Sequence, residues 1–342
     1  MNQPLFTCEV EFSPSPHLYQ IYDGFTKLKQ QGIITLKSKP VVLNDSKPVI
    51  KVVVNNKHTL IYDTLDGLNW MHGTLEANLE YFKNHFHADF YFKRSYSKML
   101  KAFSSNKHIY PLGLNYSFDY SGNYPLPLKD QLKSFIRKHI KKNVFKPSVF
   151  EFGPRINSTN KVLFLCRLWN PNDVVSEQLK SQRAKINSDR MAFVRACQKE
   201  FGKNFTGGIQ IDDYSNVVAK DVLVPHSITN KKSFLQAIKD HNVCVATTGL
   251  HDSIGWKFAE YVAASRAIVS EPLMYELPGE FKTASNFLDF SNTEELIENI
   301  VRLFENKDLM QSMMHQNHQY YQQYVASDKM ILNTLLKTQN NS

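Results

Sequence analysis

Apolar residues along this chain come in short runs and in helically spaced sets, by turns, which is the pattern of strands and helices laid down alternately around a largely parallel sheet. CEVEF at Cys8–Phe12 reads as a strand. Tyr19–Gln31 reads as a helix with Ile21, Phe25 and Leu28 on its apolar face, closed by Gly32. Strands are expected at Val49–Val54, Thr59–Tyr62, Phe90–Phe92 and His108–Leu112, with helices at Glu76–His85 and Ser97–Phe103. Residues 1–115 therefore form one α/β domain.

The pattern breaks from Asn115 to Pro154, a stretch first rich in Tyr, Pro, Gly and Ser and then basic. We read residues 116–160 as a linker holding one amphipathic helix, Leu128–Lys142, with Leu132, Phe135, Ile136 and Ile140 on its apolar side. A second α/β domain is expected over 161–320. VLFLC at Val162–Cys166 has the continuous apolar character of a strand buried on both faces, and VCVATT and AIVS repeat it. Helices are expected at Asp189–Phe201, Ser233–Asp240, Trp256–Ser265 and Thr293–Glu305. Lys307–Leu336 is almost wholly helical, and its last part, 321–342, is expected to pack back on the first domain.

The chain has 342 residues, 42% of them hydrophobic, which suits two folded domains and excludes a disordered chain. No stretch approaches the roughly 18 apolar residues of a membrane-spanning helix, and the start lacks the features of an export signal. Its four cysteines, Cys8, Cys166, Cys197 and Cys244, are too scattered for a disulfide framework or a zinc cluster. A cytoplasmic protein is expected. The net charge of +9 is concentrated: between Lys129 and Lys146 seven basic residues face Asp130 alone. A cationic amphipathic helix suits the anionic inner face of the plasma membrane, or else a solvated hinge. No motif for reading nucleic acid accompanies it.

Candidate chemistry centres on His251–Ser270, HDSIGWKFAEYVAASRAIVS. A polar turn after a buried strand opens a helix there, so backbone N–H groups and the positive end of the helix dipole face the carboxyl edge of a sheet. Such an end binds phosphate or diphosphate. Gly255 would let a ligand approach the backbone, and Lys257 would add charge. Glu260, eight residues after Asp252 and two turns into the expected helix, can accept two ribose hydroxyls. The alternative is an ordinary helix start with Ser253 as its cap.

This segment resembles the donor-binding motif of group-1 glycosyltransferases of the GT-B fold, in which two acidic residues frame a glycine-rich helix start. Asp252 stands at the first acidic position and Glu260 at the second, with Ser253 and Gly255 where glycines are usual; Ala263–Val269 is similar to the run that follows. Phe164–Leu168 is similar to a strand ending in Gly-Arg-Leu, with Cys166 in place of the glycine. The lysine usual after it is missing, and Arg183, Lys185 or Arg190 are candidates to replace it. Ala88–Ser95 with His108–Gly113, and Asn286–Phe290, are similar to the ends of the family's two domains.

The resemblance implies two Rossmann-like domains facing across a cleft, with a nucleoside-diphosphate sugar held chiefly by the second through Arg167, Arg190, Ser253, Gly255, Lys257 and Glu260. It implies that Asp252 is catalytic, that the first domain holds a glycan or lipid-linked acceptor, and that no metal or other cofactor is needed. In the first domain Asp63 and Asp66 follow a strand, and either is a candidate base on the acceptor hydroxyl. His17, His72, Lys93 and Arg94 are weaker candidates, and Asp212–Asp213 reads as a solvated turn. Three functions stay open: a glycosyltransferase in surface polysaccharide synthesis, a sugar-nucleotide epimerase of the same fold, and a non-catalytic glycan-binding relative.

Overall fold

The protein is described by a computed structural model over residues 3–41, 47–104, 106, 108–120, 122 and 144–339. The basic helix expected at Leu128–Lys142 lies outside the described residues. Two compact units are formed: residues 1–149, 275–280 and 322–342, and residues 150–274 and 281–321.

In the first unit the strands are β1 (Phe6–Phe12), β2 (Ile34–Pro40), β3 (Val49–Val54), β4 (His58–Asp63), β5 (Phe90–Lys93) and β6 (His108–Pro111), with α1 (Tyr19–Gln30) after β1 and α2 (Leu75–His85) after β4. The sheet order is β2-β1-β3-β4-β5-β6. In β1 the residues Phe6, Cys8, Val10 and Phe12 are buried in alternation, the period of a strand with two unlike faces. The expectation of a parallel sheet fails at one place. β3 is antiparallel to both β1 and β4, because Asn55 and Asn56, with φ of 54° and 53°, reverse the chain in a hairpin. β4, β5 and β6 are parallel. The helix expected at Ser97–Phe103 shrinks to Met99–Ala102.

The helix Ser327–Gln339 belongs to this unit and lies on α1. A Cβ on Gly24 would come within 2.2 Å of the Ser327 carbonyl oxygen, so the glycine permits the close approach. Met330, Ile331 and Leu335 then join Ile21, Phe25 and Leu28 in one core.

The second unit contains β7 (Val162–Cys166), α3 (Glu177–Phe201), β8 (Phe205–Gln210), β9 (Leu223–Val224), α4 (Lys231–Asp240), β10 (Val243–Ala246), α5 (Trp256–Ala263), β11 (Ala267–Ser270), β12 (Leu288–Asp289), α6 (Thr293–Glu305) and α7 (Lys307–Tyr320). Its sheet, β12-β11-β10-β7-β8-β9, is parallel throughout. This is the doubly wound order of the Rossmann fold, and it reverses direction between β7 and β10. All residues of β7, β10 and β11 are buried, as their continuous apolar runs require.

Two boundaries differ from the expected ones. α3 starts at Glu177 rather than Asp189, since the Ser176 hydroxyl accepts from the Leu179 N–H and caps it. The unit starts at Phe150 rather than 161: the buried Arg266 guanidinium donates to the carbonyls of Gly153 at 2.9 Å and Arg155 at 3.0 Å, tying that segment in. Among the described residues no helix is long and apolar enough to cross a membrane.

Candidate functional site

A doubly wound sheet opens a crevice outside the carboxyl ends of its strands where the order reverses, here at β7 and β10. Arg190, buried on α3, spans that point. Its Nη1 donates to the Arg167 carbonyl at 2.7 Å, its Nη2 to the Thr248 carbonyl at 3.0 Å and its Nε to Thr247 Oγ1 at 3.1 Å. The planar guanidinium thus holds the two strand ends at a fixed separation. Glu271, after β11, accepts from the Thr248 N–H at 2.7 Å and hydroxyl at 3.0 Å.

Beyond β10 the chain makes a tight turn with His251 and Asp252 at φ of 58° and 57°. Asp252 is exposed on this turn. Ser253 is buried and does not cap the helix. Its carbonyl accepts from the Gly249 N–H at 2.8 Å, and Gly255 takes the N-cap position with no side-chain cap. A Cβ on Gly255 would meet nothing within 4 Å and its φ is −67°, so the chain itself has no need of glycine there. Open space in front of an uncapped helix start is the geometry that admits an anion.

α5 begins at Trp256, so Glu260 stands in its second turn, not two turns in. Lys257 turns its ammonium inward to the Leu165 carbonyl of β7, with the Phe234 ring centroid 5.1 Å away. Burial pulls its pKa down to about 8. Glu260 is 2% exposed. Its Oε1 accepts from the Lys231 ammonium, an ion pair joining α4 to α5, while Oε2 is enclosed without a hydrogen-bond partner. Burial raises the Glu260 carboxyl and Lys231 opposes the rise.

Arg167 is exposed at the end of β7, its guanidinium 4.0 Å from the centroid of the Trp169 ring. Asn187 fixes that loop by accepting from the Trp169 N–H at 2.9 Å and donating to its carbonyl at 2.7 Å. Of the candidates for the missing lysine, Lys185 is engaged with Asp189 on an exposed face and Arg183 donates to the Asn170 carbonyl. Lys231 and Lys257 both act on the Glu260 carboxylate. Lys231 has no signal in the sequence, since its role depends on how α4 lies against α5. Trp169, two residues beyond Arg167, was available to be read.

The turn at Asp212–Asp213 is as expected: Asp212 Oδ1 accepts from the Ser215 N–H at 2.7 Å and opens a short helix.

In the first unit the carboxyl end of β4 corrects one expectation. Asp63 is fully buried, and its two oxygens accept from Lys93 Nζ at 3.0 Å, the Leu65 N–H at 2.8 Å, Trp70 Nε1 at 2.7 Å and the Tyr91 hydroxyl at 2.5 Å. A carboxylate so enclosed anchors the edge and is not a base for an incoming hydroxyl. Burial lowers the Lys93 pKa, with Asp63 opposing, and Lys93 also donates to the Leu65 carbonyl at 2.7 Å. Asp66 remains the candidate base. It is 43% exposed and paired with Arg94. His17 lies in the field of both, its pKa lowered mainly by burial. His72 is exposed.

No protein-family model matches this chain, and no curated protein matches it in sequence. Among solved structures, Anabaena HepE in complex with UDP-glucose is similar over 97% of this chain and 100% of its own, with 12% identity and a TM-score of 0.45. The C-terminal domain of LpcC, a group 1 glycosyl transferase family protein of Francisella tularensis, aligns with 53% of this chain and 97% of its own, at 9% identity and a TM-score of 0.37. TarM of S. aureus aligns with 84% of this chain and 63% of its own, at 12% identity and a TM-score of 0.39.

Proposed function

We propose that the chain is a glycosyltransferase that takes a sugar from a nucleoside diphosphate and passes it to a glycan or lipid-linked acceptor. The observation that carries this reading is the start of α5: an uncapped helix end at the reversal point of a parallel sheet, with Lys257 behind it and a buried carboxylate in its second turn. Diphosphate would lie against Gly255–Lys257 with Arg167 free to swing from Trp169 onto it. Glu260 would hold the ribose. The helix dipole and these cations offset the charge that grows on the leaving diphosphate, the work a divalent ion does elsewhere. Arg190 acts one step back, by keeping the ends of β7 and β10 in place.

Asp252 and Asp66 are the carboxylates left exposed for chemistry, Asp252 beside the donor turn and Asp66 at the end of β4. The basic residues of 129–146 supply attraction to an anionic membrane surface, which suits a lipid-linked acceptor at the cytoplasmic face.

A thermal-shift series with uridine, guanosine, adenosine and cytidine diphosphates tests the donor site. One of them should raise the melting temperature of the wild type and leave that of Arg167→Ala and Glu260→Ala unmoved. Diphosphate release from the matching nucleotide sugar only when an acceptor is added distinguishes transfer from epimerisation. Stabilisation by none of the four ends the proposal.

A further inference from the structure

From sequence Glu260 is expected to accept two ribose hydroxyls, one at each oxygen, but the folded chain leaves it a single oxygen. Oε1 is held by the ammonium of Lys231, the first residue of α4, whose backbone is fixed by the Asn230 cap accepting from the Ser233 N–H at 3.1 Å. The stem of Lys231 runs past Phe150 and Phe234, with Nζ 4.9 Å and 6.0 Å from their ring centroids. Oε2 is buried and has no donor among the described residues. A carboxylate oxygen in that state is costly to the molecule, and a hydroxyl is the neutral donor that relieves it without adding charge. The lysine side chain is 32% exposed against 2% for the glutamate, so the solvent-facing side of this pair is the lysine.

We propose that Lys231 sets how the nucleotide is read: by occupying Oε1 it restricts Glu260 to one ribose hydroxyl, accepted at Oε2. The inference rests on the reading of α5 as the nucleotide site. A second hydroxyl would have to displace a charge-assisted hydrogen bond, roughly twice as strong as the neutral one it offers, and so it stays in water. Of the groups facing the carboxylate, Lys231 from α4 and Lys257 from its own helix favour the anion, while its burial favours the acid. The neighbouring Tyr261 hydroxyl is itself held protonated by burial.

Calorimetric titration of the full chain with UDP, 2′-deoxy-UDP and 3′-deoxy-UDP tests this, with the guanine, adenine and cytosine sets run in parallel. One deoxy analogue should bind within about twofold of its parent and the other about tenfold or more weaker. In Lys231→Met both oxygens are free, so both analogues should lose affinity relative to the parent. The parent's affinity in Lys231→Met should begin to fall with acid at a higher pH than in the wild type, because the carboxyl without its ammonium protonates at higher pH. Lys231→Arg should restore the one-hydroxyl pattern. Equal losses for both analogues in the wild type, or an unchanged pattern in Lys231→Met, would overturn the role of Lys231 and leave the nucleotide site standing. Failure of every ribonucleoside diphosphate to bind the wild type would overturn both.

Discussion

The carboxyl edges of the two sheets carry similar residues and put them to opposite uses. In the first unit Asp63 and Asp66 are matched by Lys93 and Arg94, and each charge has an opposite neighbour. In the second, Arg167, Arg190, Lys231 and Lys257 stand at or near the edge, with Glu260, Glu271 and the exposed Asp252 among the carboxylates there. The first cluster is neutralised within itself. In the second cluster Arg190 and Lys257 rest on carbonyls and Arg167 on an aromatic ring, and one Glu260 oxygen lacks a donor among the described residues, so a ligand has contacts left to take up.

The sharpest way to break this comparison is Asp63→Ala. It leaves a buried Lys93 ammonium without its counter-charge and Trp70 and Tyr91 without an acceptor, and should cost about 3–5 kcal/mol in chemical denaturation. Nucleotide affinity of the folded fraction should not move. If instead binding fell while stability held, the first edge would be the ligand site.

Arg167→Ala should act in reverse. Loss of one charge-assisted contact to a diphosphate is worth about 1.5–3 kcal/mol, roughly 10- to 100-fold in Kd by calorimetry, with unfolding little changed because the guanidinium is exposed.

Lys257 gives a pH test. Its folded pKa of about 8 lies below the unfolded value, so the folded chain binds fewer protons between about 8 and 10.5, and ligand-free stability should gain from this group as pH rises through that window. Diphosphate affinity should move the opposite way, several-fold weaker at pH 9 than at pH 7, with proton uptake on binding near pH 8. Lys257→Met should remove both trends.

Smallest in its effect on the fold is Gly255→Ala. The added methyl meets no protein atom, so the melting temperature should stay within about 1 °C. A ligand seated on that backbone would be pushed away, and diphosphate affinity should drop about tenfold. Unchanged affinity would move the ligand off the start of α5.

The strands of the second unit were legible because burial on both faces demands continuous apolar runs, and Val162–Cys166 and Ala267–Ser270 were found with the bounds they have. β2 escaped because it is an edge strand, with Lys37 and Lys39 interrupting its apolar positions. β8 escaped because FTGGIQ holds two glycines. A Cβ on Gly208 would come within 2.7 Å of the Val222 carbonyl, so the glycine is a packing requirement that local propensity does not foretell. The hairpin could have been read from Asn55-Asn56, but alternation of strands and helices elsewhere argued for parallel neighbours.

At the site, Gly255, Lys257 and Glu260 were singled out from local spacing, and Arg190 only through the family resemblance. What they do was not, since Arg190 turned out to be a brace and Glu260 half-occupied. Lys231 lies 29 residues from Glu260 in sequence, and no local pattern announces a contact made only through the tertiary fold.

The helix Ser327–Gln339 has a bearing on how the chain is made. The residues of the first unit flank the second in sequence, 1–149 before it and 322–342 after it, so the core of the first closes only once the later segment has been made. Without Met330, Ile331 and Leu335 the apolar side of α1 lacks part of its cover, so a chain cut before Ser327 should expose that side and aggregate.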